Sequence, residues 1–593
     1  MPSWQQLRDL KITEYEDAAD GWRAISHRAD AARLRVDQEM SIPVRGTQKG
    51  ETPNAAVGRL NRLSDNYQYL HSECGLIFTT LNALAAELAL PQRKLKQALE
   101  DARILGFTVE SDGSVTYPQS VPLAPGTDKA TSGALVPFLP GKGEGQGNPD
   151  KAKAEDIAER ISTSVGEARD IDARYAGVLR KLKAPAGLAV TQEMLADAGR
   201  DLRAVRKAAR STIDEGRIPH GGTPAGNRKW WNGLTQEQRD EYAALYPAEI
   251  GALDGLPTVT RDSANRMVLA EAHAQAQMDL AELGPEPKKY EGAGPGRTIS
   301  PEWTTWHEQR GRLEKRIKGM ESIQARFAAS GVPGKNGKSA LPQAYLLGFD
   351  TQGIGHAVIA NGNPDTADHT AVYVPGTTSN LEGIGGNINR AAYLWKEMNS
   401  QAPGQEISTI TWLGYDAPQG LLDATQKHFA YDGAPELDSF LDGLQTAQGG
   451  ADGSHTTVVG HSYGSTVVGA TAKDFDLAAD DVVMVGSPGV LVGSADDLDV
   501  GKEHVWSEAA RSDPIPALGR DFLAGHQWGA NTWNGIPYDA GYISSIPSDE
   551  SFGAHRMDVD TGGHSDYWTE DSQSLKNQAA VAAGLYGRVK EDD

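Results

Sequence analysis

The chain has 593 residues and a single cysteine, Cys74. Its length exceeds what one hydrophobic core accommodates and predicts about three domains. One cysteine excludes an intramolecular disulfide and any structural zinc site that needs two thiolates. The chain has 80 acidic and 57 basic side chains. From residue 341 onward there are 35 acidic and 11 basic side chains, a net charge of −24, whereas the preceding residues have 45 acidic and 46 basic side chains. Nucleic acid is therefore not an expected partner, because binding to phosphates requires clustered Lys and Arg.

The sequence predicts no transmembrane segment, because no apolar run approaches the roughly 20 residues that a bilayer requires. The first residues, Met1–Gln6, lack the basic and apolar regions of a signal peptide. We therefore expect a cytoplasmic location, although the sequence does not forbid leaderless export.

Residues 1–117 are predicted to form a helical domain that ends in a short β-hairpin. Apolar side chains recur at spacings of three and four, the period of an amphipathic helix, as at Leu60, Leu63, Tyr67 and Leu70. Residues 107–109 and 115–117 flank the turn Ser111-Asp112-Gly113-Ser114, which indicates a hairpin. This domain is either a module for a protein partner or a helical domain without a ligand.

Residues 118–150 are rich in Pro and Gly and are predicted to be a flexible linker. Helical patterning returns in a second helical region, residues 151–335. Within it, Thr235 is a predicted N-cap and Gln238 is its capping-box partner.

From residue 344 the pattern changes to short apolar runs that are typical of strands. The first two runs are close enough to form a hairpin across residues 350–355, and the others alternate with helical stretches. This order predicts a mainly parallel, doubly wound sheet. The seven runs are Ala344–Phe349, Ala357–Ala360, Ala371–Val374, Ile407–Leu413, Thr456–Val459, Val482–Val485 and His504–Trp506.

The fifth run is followed by Gly460-His461-Ser462-Tyr463-Gly464 and then by a stretch of small residues. Strand, sharp turn and helix together form the setting in which a serine hydroxyl is presented at the carboxyl end of a central strand. Glycine is needed on both sides, because a Cβ there would strike the neighbouring strand or helix. An ordinary strand–helix turn is the alternative, but the flanking pattern favours Ser462 as a nucleophile.

A nucleophilic serine needs a histidine base, and the candidates that follow Ser462 are His504, His526, His555 and His564. His504 and His555 lie in or at the start of strand-like runs, which favours structural roles, and His526 lies in an apparent insertion. His564 follows a strand and a loop with two glycines, so it is free to point back at Ser462. We favour His564 as the base.

The base must be held by an acid, for which Asp513 is the favoured residue. It lies just past the seventh run, in a loop that prolines hold at the carboxyl edge of the sheet. The competitors occur in a polar run more typical of a solvated face; they are Asp496, Asp497 and Asp499. An oxyanion would be bound by the N–H of Tyr463 and by that of Thr377 or Thr378, in the loop after the third strand.

Five motifs together resemble an actinobacterial family of α/β-hydrolase domains of unknown function. They are Val374-Pro375-Gly376-Thr377, Gly460-His461-Ser462-Tyr463-Gly464, Gly486-Ser487-Pro488-Gly489, Asp513-Pro514 and Gly563-His564-Ser565. The resemblance covers residues 340–590, and residues 253–257 and 261–266 are similar to the helical segment that precedes the domain in that family. It implies an α/β-hydrolase fold with long all-α segments before it and a Ser462–Asp513–His564 triad, but no substrate.

These residues favour a serine hydrolase that cleaves carboxylic esters through an acyl-Ser462 intermediate, without a metal or other cofactor. The acidity of the C-terminal part favours a small, neutral ester as substrate. One alternative is a noncatalytic interaction protein in which helices bind a partner and the hydrolase fold is a platform. Another is an amidase or acyltransferase with the same triad, because fold and triad do not choose the leaving group.

Overall fold

The computed structural model describes residues 3–47, 51–118, 149–183, 189–292, 297–332, 340–522, 526–533 and 536–592. They form two compact units. One consists of Met1–Asp30, Tyr69–Ala189 and Ala198–Glu215, and the other of Ala31–Gln68, Val190–Asp197 and Gly216–Asp593. These boundaries differ from the domain boundaries expected from sequence, and nearly all of the predicted linker at 118–150 lies outside the described residues.

The N-terminal part of the chain is helical, as predicted, and its small hairpin is present. Strands β1 (Thr108–Val109) and β2 (Val115–Thr116) pair antiparallel. A π-helical turn at Val36–Ser41 follows α2. The helices are α1 (Trp4–Asp9), α2 (Ile12–Arg35), α3 (Ile42–Thr47), α4 (Glu51–Ile104), α5 (Pro149–Leu179) and α6 (Gln192–Ala209).

Among the described residues, helix α4 is the one helix that meets a length and composition criterion for a membrane span. Its part Ala55–Ile104 is long and apolar enough to cross a membrane by length and composition, with a mean hydropathy of 1.4 in its most apolar stretch. In the structure 61% of that stretch is buried within the protein, and the core helix of a soluble protein meets the same criterion.

The second unit contains helices α7–α16 and strands β3–β14. The helices are α7 (Pro224–Gly233), α8 (Gln236–Leu245), α9 (Pro247–Ala252), α10 (Thr258–Glu282), α11 (Pro301–Ala328), α12 (Ile384–Gln401), α13 (His428–Gln448), α14 (Tyr463–Asp474), α15 (Ile515–Phe522) and α16 (Gln573–Ala582). Helix α8 begins with the predicted capping box of Thr235 and Gln238.

An eight-stranded sheet forms the centre of this unit, in the order β14-β11-β10-β9-β7-β8-β6-β5. All seven apolar runs are strands, the first two form the predicted antiparallel hairpin, and β7 to β11 and β14 are parallel. The strands are β5 (Ala344–Asp350), β6 (His356–Asn361), β7 (His369–Val374), β8 (Ile407–Leu413), β9 (His455–His461), β10 (Asp481–Val485), β11 (Val505–Glu508) and β14 (His555–Arg556).

Among its described residues, the second unit has two small hairpins outside the central sheet. Strands β3 (Tyr290–Glu291) and β4 (Thr298–Ile299) form one of them. Strands β12 (His526–Trp533) and β13 (Ile536–Ser544) form the other, which is the insertion expected around His526.

Both faces of the sheet are covered by helices, which is why its strands are continuously apolar. Val458 packs on the face covered by α13 and α14. The next residue, Val459, packs on the face covered by α12 and α16. The middle of strand β9 is therefore buried on both sides, so side chains can reach a ligand only near its ends.

The helical segment before the sheet belongs to the same unit and is attached to β5 by buried polar contacts. Asp262 Oδ1 accepts from the N–H of Leu346 at 2.7 Å. The Asn265 amide donates to the Leu346 carbonyl at 3.1 Å, and the Arg266 guanidinium donates to the Ala344 carbonyl at 2.9 Å. The segment 261–266 thus satisfies the backbone of the outermost strand, which would otherwise be an open edge.

Glu508, at the end of β11, is a carboxyl group with almost no access to solvent. It is 1% exposed and accepts hydrogen bonds from Ser574 Oγ at 2.5 Å and Gln578 Nε2 at 2.8 Å. Burial raises the pKa of Glu508 to about 8, because these two bonds offset only part of the cost of burying a charge. The folded protein therefore keeps a proton that the unfolded chain loses in mild acid.

This proton predicts how stability depends on pH. Between the ordinary pKa of 4.5 and the folded value of about 8, stability falls with rising pH by up to about 1.4 kcal/mol per pH unit. We expect Glu508→Gln, which cannot ionise, to have a higher melting temperature than the wild type, by an increasing margin from pH 5 to pH 8. Differential scanning fluorimetry measures this margin. The exposed Glu503→Gln is the control, and a constant margin for Glu508→Gln would contradict the assignment.

Candidate active site

Ser462 occupies a strained turn between β9 and α14. Its backbone has φ 53° and ψ −129°, a conformation that is rare for a residue with a side chain. The Ser462 N–H donates to the Val485 carbonyl at 2.9 Å, and the Ser465 N–H donates to the Ser462 carbonyl at 3.0 Å. A Cβ at Gly464 would overlap with the Val374 carbonyl oxygen, so the turn fits against β7 only with glycine there.

His564 and Asp513 form a hydrogen-bonded pair. His564 Nδ1 lies 2.8 Å from Asp513 Oδ2, and the carboxylate also accepts from Tyr567 Oη at 2.7 Å and from the Ile515 N–H at 2.9 Å. Burial alone would raise the pKa of Asp513, but the bonds from His564 and Tyr567 outweigh it and lower the pKa. Asp513 is thus held as an anion beside a partly exposed imidazole.

Gly486 connects this pair to the serine turn. It directly follows Val485, which accepts the Ser462 N–H, and has φ +56°. A Cβ at Gly486 would lie 2.8 Å from Asp513 Oδ2 and 3.1 Å from His564 Nδ1. The structure therefore brings the predicted serine, histidine and aspartate together beyond the carboxyl ends of β9, β10 and β11.

His461 contacts the candidate base directly, and no sequence pattern predicted this contact. Its Nε2 lies 2.9 Å from the His564 carbonyl oxygen, so Nε2 must carry the proton and donate it. Burial, aided by Arg390 and His564, lowers the pKa of His461 well below its ordinary value, so the imidazole is neutral. Its ring packs edge-on to Trp568, with centroids 5.0 Å apart. His461 fixes the backbone of His564.

Gly376 lies against the serine turn from the loop after β7. A Cβ added there would lie 2.7 Å from the Tyr463 nitrogen and 2.8 Å from Ser462 Cβ. The Thr378 N–H donates to the Pro418 carbonyl at 2.7 Å, so it is not available to a ligand. Within the described residues the Thr377 N–H makes no hydrogen bond. Tyr463 and Thr377 are therefore the candidate oxyanion donors.

The other candidate residues lie elsewhere or have other contacts. His504 Nδ1 contacts Asp481 at the amino end of β10, at 3.0 Å, and His555 Nδ1 contacts Glu591 at 3.1 Å. His526 begins β12, and its side chain lies outside the described residues. Asp497 closes a capping box with Ser494. Across the described residues no group of three or more His, Cys, Asp or Glu side chains is arranged to hold a metal ion.

The parallel central sheet with helices on both faces defines an α/β-hydrolase fold. A family model described as an alpha/beta hydrolase matches residues 350–521, a range that contains Ser462 and Asp513 but not His564. The chain is 30% identical over 392 residues to the uncharacterized proteins MT2140 and Rv2079 of Mycobacterium tuberculosis (strains CDC 1551 / Oshkosh and ATCC 25618 / H37Rv), covering 62% of this chain and 57% of theirs.

A shorter relative is more completely covered. Uncharacterized protein Mb0988c of Mycobacterium bovis (strain ATCC BAA-935 / AF2122/97) is 30% identical over 234 residues, which are 38% of this chain and 80% of the relative. The chain therefore belongs to this family of α/β hydrolases. It spans just over half the length of MT2140 and Rv2079. No solved structure gives a significant match.

The position of Gly376 generates a test of the candidate oxyanion site. Gly376→Ala places a methyl group against the Tyr463 nitrogen and Ser462 Cβ, so it should slow labelling of Ser462 by a fluorophosphonate about a hundredfold or more. Gly386→Ala in α12 is the matched control, because its Cβ would meet nothing within 4 Å. Gly386→Ala should react at the wild-type rate and gain up to about 1 kcal/mol of helix stability. Equal labelling rates in both variants would contradict the site.

Proposed function

We propose that the protein is a serine hydrolase that cleaves carboxylic esters through an acyl-Ser462 intermediate. The observation that carries this proposal is the 2.8 Å His564–Asp513 pair, which Gly486 brings against the serine turn. A nucleophilic serine, a histidine base and a buried carboxylate that orients the base are the three parts that acyl transfer of this kind requires.

In the acylation step, Ser462 Oγ attacks the ester carbonyl carbon while His564 Nε2 removes its proton. The carbonyl oxygen becomes an oxyanion, which the Tyr463 and Thr377 N–H groups bind. The resulting imidazolium is stabilised by Asp513 through Nδ1–H. The tetrahedral intermediate expels the alkoxide, which takes the proton from His564, and the acyl group remains on Ser462.

In the deacylation step, water replaces the alcohol and His564 again acts as the base. The acid leaves and Ser462 regains its proton. Asp513 acts in both steps, because its lowered pKa favours the carboxylate anion that stabilises the imidazolium. Tyr567 supports the same state, since its hydroxyl donates to Asp513 Oδ2 and accepts from the Ala510 N–H at 2.9 Å.

The proposed triad predicts the effects of three substitutions on activity. Ser462→Ala and His564→Ala should each lower kcat on a p-nitrophenyl ester by several orders of magnitude, because nucleophile and base act as a unit. Asp513→Asn should keep the fold and lose much of the activity, because the imidazolium loses its counter-charge. Steady-state kinetics and fluorophosphonate labelling measure these losses.

The matched controls are His555→Ala and Asp496→Asn, which change the rejected candidates. Both should keep wild-type activity. A large loss in either control, with full activity in His564→Ala or Asp513→Asn, would reassign the base or the acid. Absence of labelling in the wild-type protein would instead favour the noncatalytic interaction protein.

The acidity of the hydrolase domain predicts a preference for uncharged substrates. A net charge of −24 from residue 341 onward should place a negative potential over much of the hydrolase surface. We therefore expect kcat/KM to be higher for a neutral ester than for a matched ester with a distal carboxylate. Salt should narrow the difference by screening the field. Preference for the anionic ester that weakens with salt would contradict this assignment.

A further inference from the structure

Two adjacent leucines project into solvent from the loop that follows β8. Leu421 is 63% exposed and Leu422 is 84% exposed. They lie at the tip of the loop, which closes on itself through the Ala424 N–H to the Gly420 carbonyl at 3.0 Å and the Gln426 N–H to the Asp423 carbonyl at 2.9 Å. Burial of an apolar side chain is favourable, so two adjacent exposed leucines at one tip form an apolar surface that a partner could cover.

This loop is hydrogen-bonded to the candidate oxyanion loop. The Thr378 N–H donates to the Pro418 carbonyl at 2.7 Å, and Gln419 Nε2 donates to the Ser379 carbonyl at 2.9 Å. Asn380 Nδ2 donates to Gln419 Oε1 at 2.8 Å. The leucine tip is therefore fixed relative to Thr377 and to the serine turn.

The other end of the loop is bound to the residue after the nucleophile. Tyr463 Oη donates to the Gln426 carbonyl. Tyr415 Oη, at the start of the loop, donates to the Pro375 carbonyl at 2.8 Å. Both flanks of the leucine tip are thus anchored to the two segments that carry the oxyanion donors.

A third exposed leucine lies on the opposite side of the site. Leu518, in α15, is 40% exposed and lies five residues after Asp513. In the sheet order, β8 and β11 are each two strands away from β9, on opposite sides. Loops that follow parallel strands meet at the carboxyl edge of the sheet. Leu421 and Leu422 therefore flank Ser462 on one side and Leu518 on the other.

The charge of this part of the chain limits what covers these leucines. A surface that carries −24 repels anionic membranes and acidic partners. Exposed leucines on both sides of the proposed nucleophile could bind a surface that is apolar and uncharged and that also contains the substrate. The surface of an aggregated neutral ester satisfies all three conditions.

We propose that Leu421, Leu422 and Leu518 dock the protein on the surface of an aggregated, uncharged lipid ester and deliver that ester to Ser462. The docking itself is independent of chemistry, whereas delivery rests on the proposed esterase function. The substrate class is thus a water-insoluble neutral ester, rather than a soluble one.

Binding is tested with the full chain carrying Ser462→Ala, so that no substrate is consumed. Flotation with phosphatidylcholine vesicles should recover this protein. When Leu421→Ser and Leu422→Ser are introduced together into the same Ser462→Ala background, vesicle binding should weaken at least about tenfold. Leu518→Ser should weaken binding by a smaller factor. Vesicles of phosphatidylglycerol should bind less than phosphatidylcholine at low salt, because of the acidic surface.

The control is Val259→Ser at the start of α10, which is 54% exposed and next to Thr258. Thr258 contacts Asp365 before β7, at the opposite edge of the sheet. Val259→Ser should leave vesicle binding unchanged. Equal binding by the double leucine variant and the control, or no binding by either, would overturn the docking proposal.

Activity separates docking from catalysis. In otherwise wild-type protein, Leu421→Ser/Leu422→Ser should hydrolyse soluble p-nitrophenyl butyrate within about twofold of wild type and lose at least about tenfold on emulsified tributyrin. Vesicle binding without hydrolysis of either ester would support docking and contradict the esterase. A dimer that becomes a monomer in the double variant, by light scattering, would identify the leucines as a contact between copies and overturn the proposal.

Discussion

The structure depends on one constraint, the sharp turn that lifts Ser462 from the end of β9 into α14. This turn has a rare backbone conformation, and the surrounding packing maintains it. A Cβ at Gly464 would strike the end of β7, one at Gly376 would strike the serine turn, and one at Gly486 would lie against Asp513 and His564. Because these segments approach so closely, Ser462, the candidate oxyanion donors and the His564–Asp513 pair all lie at the carboxyl edge of one sheet.

The polar groups around this turn hold one another in place through hydrogen bonds. Asp513 already accepts three hydrogen bonds, and His461 holds the His564 carbonyl from below. In the proposed reaction, dipoles held in this way would lower the barrier, because they need not reorient as charge develops. This arrangement costs free energy, because Asp513, His461 and the nearby Glu508 carboxyl group are buried. The raised pKa of Glu508 is a consequence of that burial.

The sequence alone was sufficient to predict the features that depend on a local pattern of residues. Seven apolar runs gave seven strands, and the strand–glycine–helix pattern placed Ser462 correctly at the end of the fifth. The contribution of His461 depends on a contact with a residue 103 positions away, so no local pattern indicates it. The choice between Thr377 and Thr378 depends on Pro418, which belongs to another loop. Each compact unit is assembled from three separate stretches of the chain, and a local sequence pattern does not indicate which distant stretches belong together.

The central claim is that Ser462 carries the acyl group, and the most direct measurement is identification of the acylated residue. Wild-type protein mixed with p-nitrophenyl acetate, quenched in acid within milliseconds and digested should give one acetylated peptide, the one that contains Ser462. Mass spectrometry should find that adduct to form and decay at the rate of turnover. Turnover without an adduct on Ser462, or an adduct on another residue that keeps pace with turnover, would contradict the account.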